Sequence, residues 1–141
     1  MGAYNDLVLT DAGRALYAKK IADGTALEFT KVKLGDGTPT VDPTTLTDLV
    51  SSKLVAQISS ITSDGAICTI IANKDNDGLA ENTAIKEIGL IAKDTVDGAD
   101  VDVLYAYINA PATYDTLFTP AYGYHNWQLT LKVSVENITV G

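Results

Sequence analysis

Between Leu9 and Gly37 the chain reads LTDAGRALYAKKIADGTALEFTKVKLGDG, and its apolar period changes once, from about 3.6 residues before Gly24 to two residues after it. That single change commits the chain to a helix followed by strands. Thr10 or Asp11 can cap the helix by placing a side-chain oxygen on free amide hydrogens, and Asp11 adds negative charge at the positive end of the dipole. The spacing predicts a helix as far as about Ala22, with Ala12, Ala15, Ala18 and Ala22 on an apolar face that Leu16, Tyr17 and Ile21 widen. Small residues there would let a sheet approach closely. Lys19 and Lys20 suit the negative end, and Asp23-Gly24 supplies a left-handed stop.

Beyond the helix, Leu27 and Phe29 share one face of a strand while Val32 and Leu34 share the other, so a bulge or a change of partner is expected near Thr30 or Lys31. The stretch GDGTPTVDPTT reads as an exposed loop, from which Asp42-Pro43-Thr44-Thr45 starts a short helix through Leu49. KLVAQISSIT and AICTIIA form a hairpin around Ser63-Asp64-Gly65, and the second run, apolar on both faces, is expected at the centre of the sheet. Turn-rich NKDNDGLAENT leads to AIKEIGLIAK, and KDTVDGAD leads to VDVLYAYIN. In the final run Trp127, Leu129, Leu131, Val133 and Val135 alternate with Gln128, Thr130, Lys132, Ser134 and Glu136, which predicts one buried and one wet face. Ile138 and Val140 fall out of phase, implying a bulge near Glu136-Asn137. The pattern is that of one α+β domain over residues 1–141, a mostly antiparallel sheet with one main N-terminal helix.

At 141 residues, 46% of them hydrophobic, such a domain can bury a core without disulfides. The lone Cys68 lies in AICTIIA with no cation beside it, and reads as a packed side chain rather than a thiolate. No signal-like segment follows Met1, and no run approaches the roughly 18 apolar residues of a spanning helix, so synthesis in a cytoplasm and no membrane partner are expected. A net charge of -8 opposes binding to nucleic acid. The closest basic groupings, Lys19-Lys20 and Lys31 with Lys33, read as solvated faces.

Catalytic chemistry finds little support, because the chain has one histidine and one cysteine, and neither a phosphate-binding loop nor a nucleophile elbow. Asn73-Lys74-Asp75-Asn76-Asp77-Gly78 approaches the start of a calcium loop, but the twelfth position is Ala84 where a bidentate glutamate is needed. Tight-turn chemistry explains it better. Asp94, Asp97, Asp100 and Asp102 form a second acidic loop that reads as solvated, so no metal or cofactor is expected. The unexplained surplus is aromatic. Tyr114, Phe118, Tyr122, Tyr124 and His125 crowd the long connection APATYDTLFTPAYGYHN, and such side chains dominate protein interfaces. Rings folded over their own sheet and rings offered to a partner look alike at this level.

Taken together, LTDAGRALYAKKIADGTALEFTKVKLGDG, IKEIGLIAK, VLYAYINAPATY and WQLTLKVSV resemble the N-terminal domain of phage tail-collar fibre proteins. Its strongest elements are Thr10-Asp11-Ala12-Gly13, Leu34-Gly35-Asp36-Gly37 and Glu87-Ile88-Gly89-Leu90, in that order. The resemblance implies a fibre foot of a contractile-tailed phage or phage-like bacteriocin, a homotrimer that docks on baseplate proteins and supports host attachment. It implies no catalytic residue and no cofactor. A distal fibre or receptor-binding protein would be a further partner. The residues up to Gly141 hold no long shaft repeat, which leaves open a short docking adaptor or the front of a longer fibre. The alternative function is a β-rich module that recognises carbohydrate or calcium at the tail tip.

Overall fold

The computed structural model describes residues 4–134. They form strands β1 (Val8–Leu9), β2 (Glu28–Gly35), β3 (Ser52–Asp64), β4 (Ile67–Asp75), β5 (Thr83–Ile85), β6 (Glu87–Val96), β7 (Ala99–Asn109), β8 (Asp115–Leu117) and β9 (Asn126–Ser134), with one helix, α1 (Asp11–Asp23). Seven strands make an antiparallel sheet in the order β1-β7-β6-β2-β3-β4-β9, while β5 and β8 pair apart from it as a ribbon. Mostly antiparallel sheet with a single α-helix is therefore the architecture of the described residues. The helix is not the first element, because the short β1 precedes it and pairs with β7. Val135 and the bulge expected near Glu136-Asn137 lie outside the described residues.

Thr10 caps α1 by accepting from the Gly13 amide, and Gly24, at φ 67°, ends it with its own amide on the Ile21 carbonyl. The alanine face is a correction. Ala15, Ala18, Ala22 and Ile21 are exposed; of the expected face α1 buries Leu16 and half-buries Ala12 and Tyr17, and it adds buried Gly13 and half-buried Lys20. The contact requires glycine: a Cβ on Gly13 would lie 2.2 Å from the Tyr105 carbonyl oxygen. Alanine favours a helix on any face, so its recurrence marked the helix and not its docking side.

In β2 the expected bulge appears as a register shift between Phe29 and Lys31 against β6. The extra residue changes the phase, so Leu27, Phe29, Val32 and Leu34 all pack into one cluster. A second correction concerns Asp42 onward. Only Pro43–Thr45 makes a 3-10 turn, capped by Asp42; Leu46 is already extended, and Leu46 and Leu49 fold under the sheet against Ile91, Leu104 and Tyr107. The β3–β4 hairpin turns at Gly65-Ala66, one step later than Ser63-Asp64-Gly65 suggests. β4 is interior but one strand from the edge, and β2 is central. β6 and β7 are joined by Asp97-Gly98, both at positive φ (53° and 81°), as a mirror-image two-residue loop needs. AIKEIGLIAK is not one strand, because it breaks at Lys86 and sends Ile85 to the ribbon and Glu87 to the main sheet.

The larger core joins Val32, Leu34, Ile70, Leu90, Tyr105 and Leu131 with Ile85 and Leu117 from the ribbon. Cys68 is half-buried against it, and burial pushes its thiol pKa up. The β9 alternation is as expected: Trp127, Leu131 and Val133 are buried while Gln128, Thr130 and Lys132 are exposed.

Candidate docking surface

The long aromatic connection is not structureless. It carries β8 and a 3-10 turn at Pro120–Tyr122, and one side chain from outside it fixes its course. Asn76 follows β4 and is fully buried. Its amide nitrogen donates to the Phe118 carbonyl at 2.9 Å and to the Gly123 carbonyl at 2.8 Å, while its amide oxygen accepts from the His125 backbone at 2.9 Å. The Asn76 backbone donates in turn to the His125 carbonyl. Three points of the loop thus hang on one residue. Further ties come from Asn82, whose oxygen accepts from the Thr119 amide, and from Tyr4, which donates to Ile85 and accepts from the Asp115 amide. Trp127 lies buried beneath, its indole N–H on Asp115 at 3.1 Å.

The rings above this anchored backbone face solvent. Tyr122 is 74% and Tyr124 72% exposed, against 48% for Phe118 and 40% for Tyr114. Phe118 and Tyr122 meet edge to face at 5.7 Å, and the Lys86 ammonium sits 4.9 Å from the Tyr114 ring centre. The charges of Asp75 and Asp77 bear on the Tyr124 phenol, Asp75 foremost, and raise its pKa. His125 is exposed and joins the arrangement through its backbone. The five aromatic-loop residues singled out in the sequence therefore lie along one fixed segment. Sequence reasoning missed Asn76, because Asn-Asp-Gly reads as a local turn and nothing local shows its amide reaching residue 123.

A second anchor sits elsewhere, around Glu87, which is also fully buried. Its carboxylate accepts from the Val50 amide (2.8 Å), the Ser51 amide (2.7 Å), the Gly37 amide (3.0 Å) and the Tyr107 hydroxyl (2.7 Å). The loop closes so tightly on it that a Cβ on Gly37 would lie 2.6 Å from Val50 Cβ. Near the helix start Thr10 has a parallel role, donating its hydroxyl to the Leu104 carbonyl while its amide donates to Tyr105 at 3.1 Å. The three short motifs that distinguish this sequence are thus joints of the scaffold.

A family model described as phage tail-collar fibre protein, N-terminal, matches residues 1–96. The chain belongs to this family. Its membership gives the chain a structural role in a phage tail fibre, as a component of the virion tail. No curated protein and no solved structure gives a match. The matched residues contain both anchors, Glu87 and Asn76, whereas β7, the aromatic loop and β9 lie beyond them.

In this tail-collar fibre domain part of each acidic stretch is tied to the scaffold. Asp75 accepts from the Asp77 amide, and the Asn76 side chain is bonded to the aromatic loop. Among the described residues no three of His, Cys, Asp and Glu converge as metal ligands would. Asp94 is held by Lys19 at 2.9 Å, whose hydrogen bond lowers the carboxyl pKa; Lys31 pairs with Asp102 and Lys33 with Asp48. Lys19, Lys31 and Lys33 of the basic groupings are thus ion-paired at the surface. Among the described residues no helix is long and apolar enough to cross a membrane. A shallow cleft of about 290 Å³ is lined by Leu7, Val8, Leu9, Arg14 and Thr44, and a single cation there is not a proton-transfer pair.

Proposed function

We propose that the chain is a tail-fibre attachment domain that assembles as a homotrimer, docks on the baseplate of a contractile tail through Tyr114, Phe118, Tyr122, Tyr124 and His125, and so supports host adsorption. The observation that carries this reading is the exposure of Tyr122 and Tyr124 on a backbone that buried Asn76 holds in place. Rings already ordered lose little conformational freedom on binding, which is what makes aromatic side chains effective interface anchors. A phage-like bacteriocin particle and a virion would use the same foot, and a distal fibre or receptor-binding protein would attach at another face.

The test is assembly. Purified chain is sized by sedimentation equilibrium and mixed with tail particles lacking it, and a symmetric oligomer that co-sediments with the particles is the expected result. A strictly monomeric chain that never joins the particles overturns the proposal. Exposed tyrosines beside carboxylates also suit stacking on a sugar, so saturable binding on a glycan array would move the function to carbohydrate recognition.

A further inference from the structure

Resting on the docking reading above, we infer that the partner of the aromatic loop presents lysine or arginine side chains, which stack on Tyr122 and Tyr124 and reach the carboxylates of Asp75 and Asp77. Four observations converge on a cationic partner. First, the rings offer exposed faces, and an aromatic face attracts a cation through its quadrupole. Second, the loop already uses this mode, with Lys86 over Tyr114 at 4.9 Å. Third, the carboxylates around the anchor have no cationic partner of their own among the described residues. Lysines hold Asp94, Asp102, Asp48, Glu28 and Asp100 in ion pairs, yet among the described residues no lysine or arginine pairs with Asp75, Asp77 or Glu81. Fourth, the chain carries a net charge of -8, so a basic partner would be steered to it while acidic surfaces are repelled.

Geometry links the acids to the rings. Asp75 closes β4 and Asp77 follows Asn76, so the residue that fixes the loop is bracketed by the two carboxylates that bear on Tyr124. A cation arriving at the Tyr124 ring meets negative charge already placed. The same Asn76 anchor bonds the backbone on both sides of the 3-10 turn that carries Tyr122, whose exposed ring packs T-shaped with Phe118.

The experiment measures docking of the full chain on tail particles that lack it, at about 50 and 500 mM salt, for wild type and three double variants. Asp75→Asn with Asp77→Asn is nearly isosteric and keeps an oxygen for the Asp77 amide. It should weaken docking about tenfold at low salt and remove most of the salt dependence. Tyr122→Ala with Tyr124→Ala should weaken docking about thirtyfold or more at both salt levels, and Tyr122→Phe with Tyr124→Phe should restore it. A hexa-arginine peptide, but not hexa-glutamate, should shift the proton resonances of the Tyr122 and Tyr124 rings. Docking that ignores salt and the asparagine variant but fails with the alanine variant overturns the cationic partner and leaves the docking surface standing. Docking unchanged by the alanine variant, with circular dichroism like wild type, overturns both. Salt-insensitive binding to glycans also overturns the cationic partner.

Discussion

Glu87 and Asn76 do the same physical work on two loops and with opposite results. Each is fully buried, each satisfies its polar atoms on backbone distant in sequence, and each fixes a long connection against the sheet. Around Glu87 the fixed loop turns Leu49 inward, under Tyr107 and Leu104. Around Asn76 the fixed loop turns Tyr122 and Tyr124 outward. Fixing a loop is therefore not what separates structure from function in this domain; the direction of the side chains is. Where the loop feeds the core, order serves stability. Where it displays rings, order would serve the docking proposed above.

The comparison is broken most severely at Glu87. Glu87→Ala strands three amides and the Tyr107 hydroxyl in a closed site, and should cost at least about 3 kcal/mol of unfolding free energy, read from urea denaturation. A loss under about 1 kcal/mol would mean that water replaces the carboxylate and that the loop needs no anchor. Alkali probes the same interior. Burial pushes the Tyr4 and Tyr105 phenols up to about 12, and burial with the adjacent Glu87 carboxylate raises Tyr107 further. The unfolded chain releases these protons near the ordinary tyrosine pKa of about 10 while the folded chain retains them. Their stabilising contribution is therefore whole below pH 10 and lost as pH climbs through 12, so the urea midpoint should fall across that window. A midpoint flat from pH 10 to 12 contradicts the burial of these rings.

Asn76→Ala is the sharper cut, since it removes three hydrogen bonds without touching the larger core. A cost of about 2 kcal/mol is expected, together with faster amide exchange at His125, while β6 and β7 keep their protection. Equal loss of protection across the sheet would show that the aromatic loop and the scaffold fold as one unit and that the two regions are not separable.

What the sequence revealed follows the range of the interaction. The Thr10 cap and the Gly24 stop are local, and the residues that make them stand within one helical turn of their partners. The bulge at Thr30 was legible because Phe29 and Val32 sit an odd number of residues apart yet both needed burial. The docking face of α1 was not, because Gly13 is buried by the Tyr105 backbone, which no helical period encodes. Of the candidate surface the aromatic surplus was visible and its support was not. Asn76 reaches carbonyls 42 and 47 residues away, and Glu87 reaches amides 36, 37 and 50 residues away. Only the completed sheet brings those groups together.

The smallest expected effect on stability tests the comparison most directly. Tyr122 stands on the fixed turn with about three quarters of its surface in water, and its one ring contact is with half-exposed Phe118. Tyr122→Ala should therefore change unfolding free energy by less than about 0.5 kcal/mol, as exposed substitutions do. The Asn76 hydrogen bonds that fix the loop involve Phe118, Gly123 and His125, so they survive the change. Measured beside docking on tail particles, the variant should lose binding while its urea curve overlays wild type. A drop of about 2 kcal/mol would instead make Tyr122 part of the packing. Both anchored loops would then serve the fold alone, and the proposed baseplate contact would have to be sought elsewhere on the sheet.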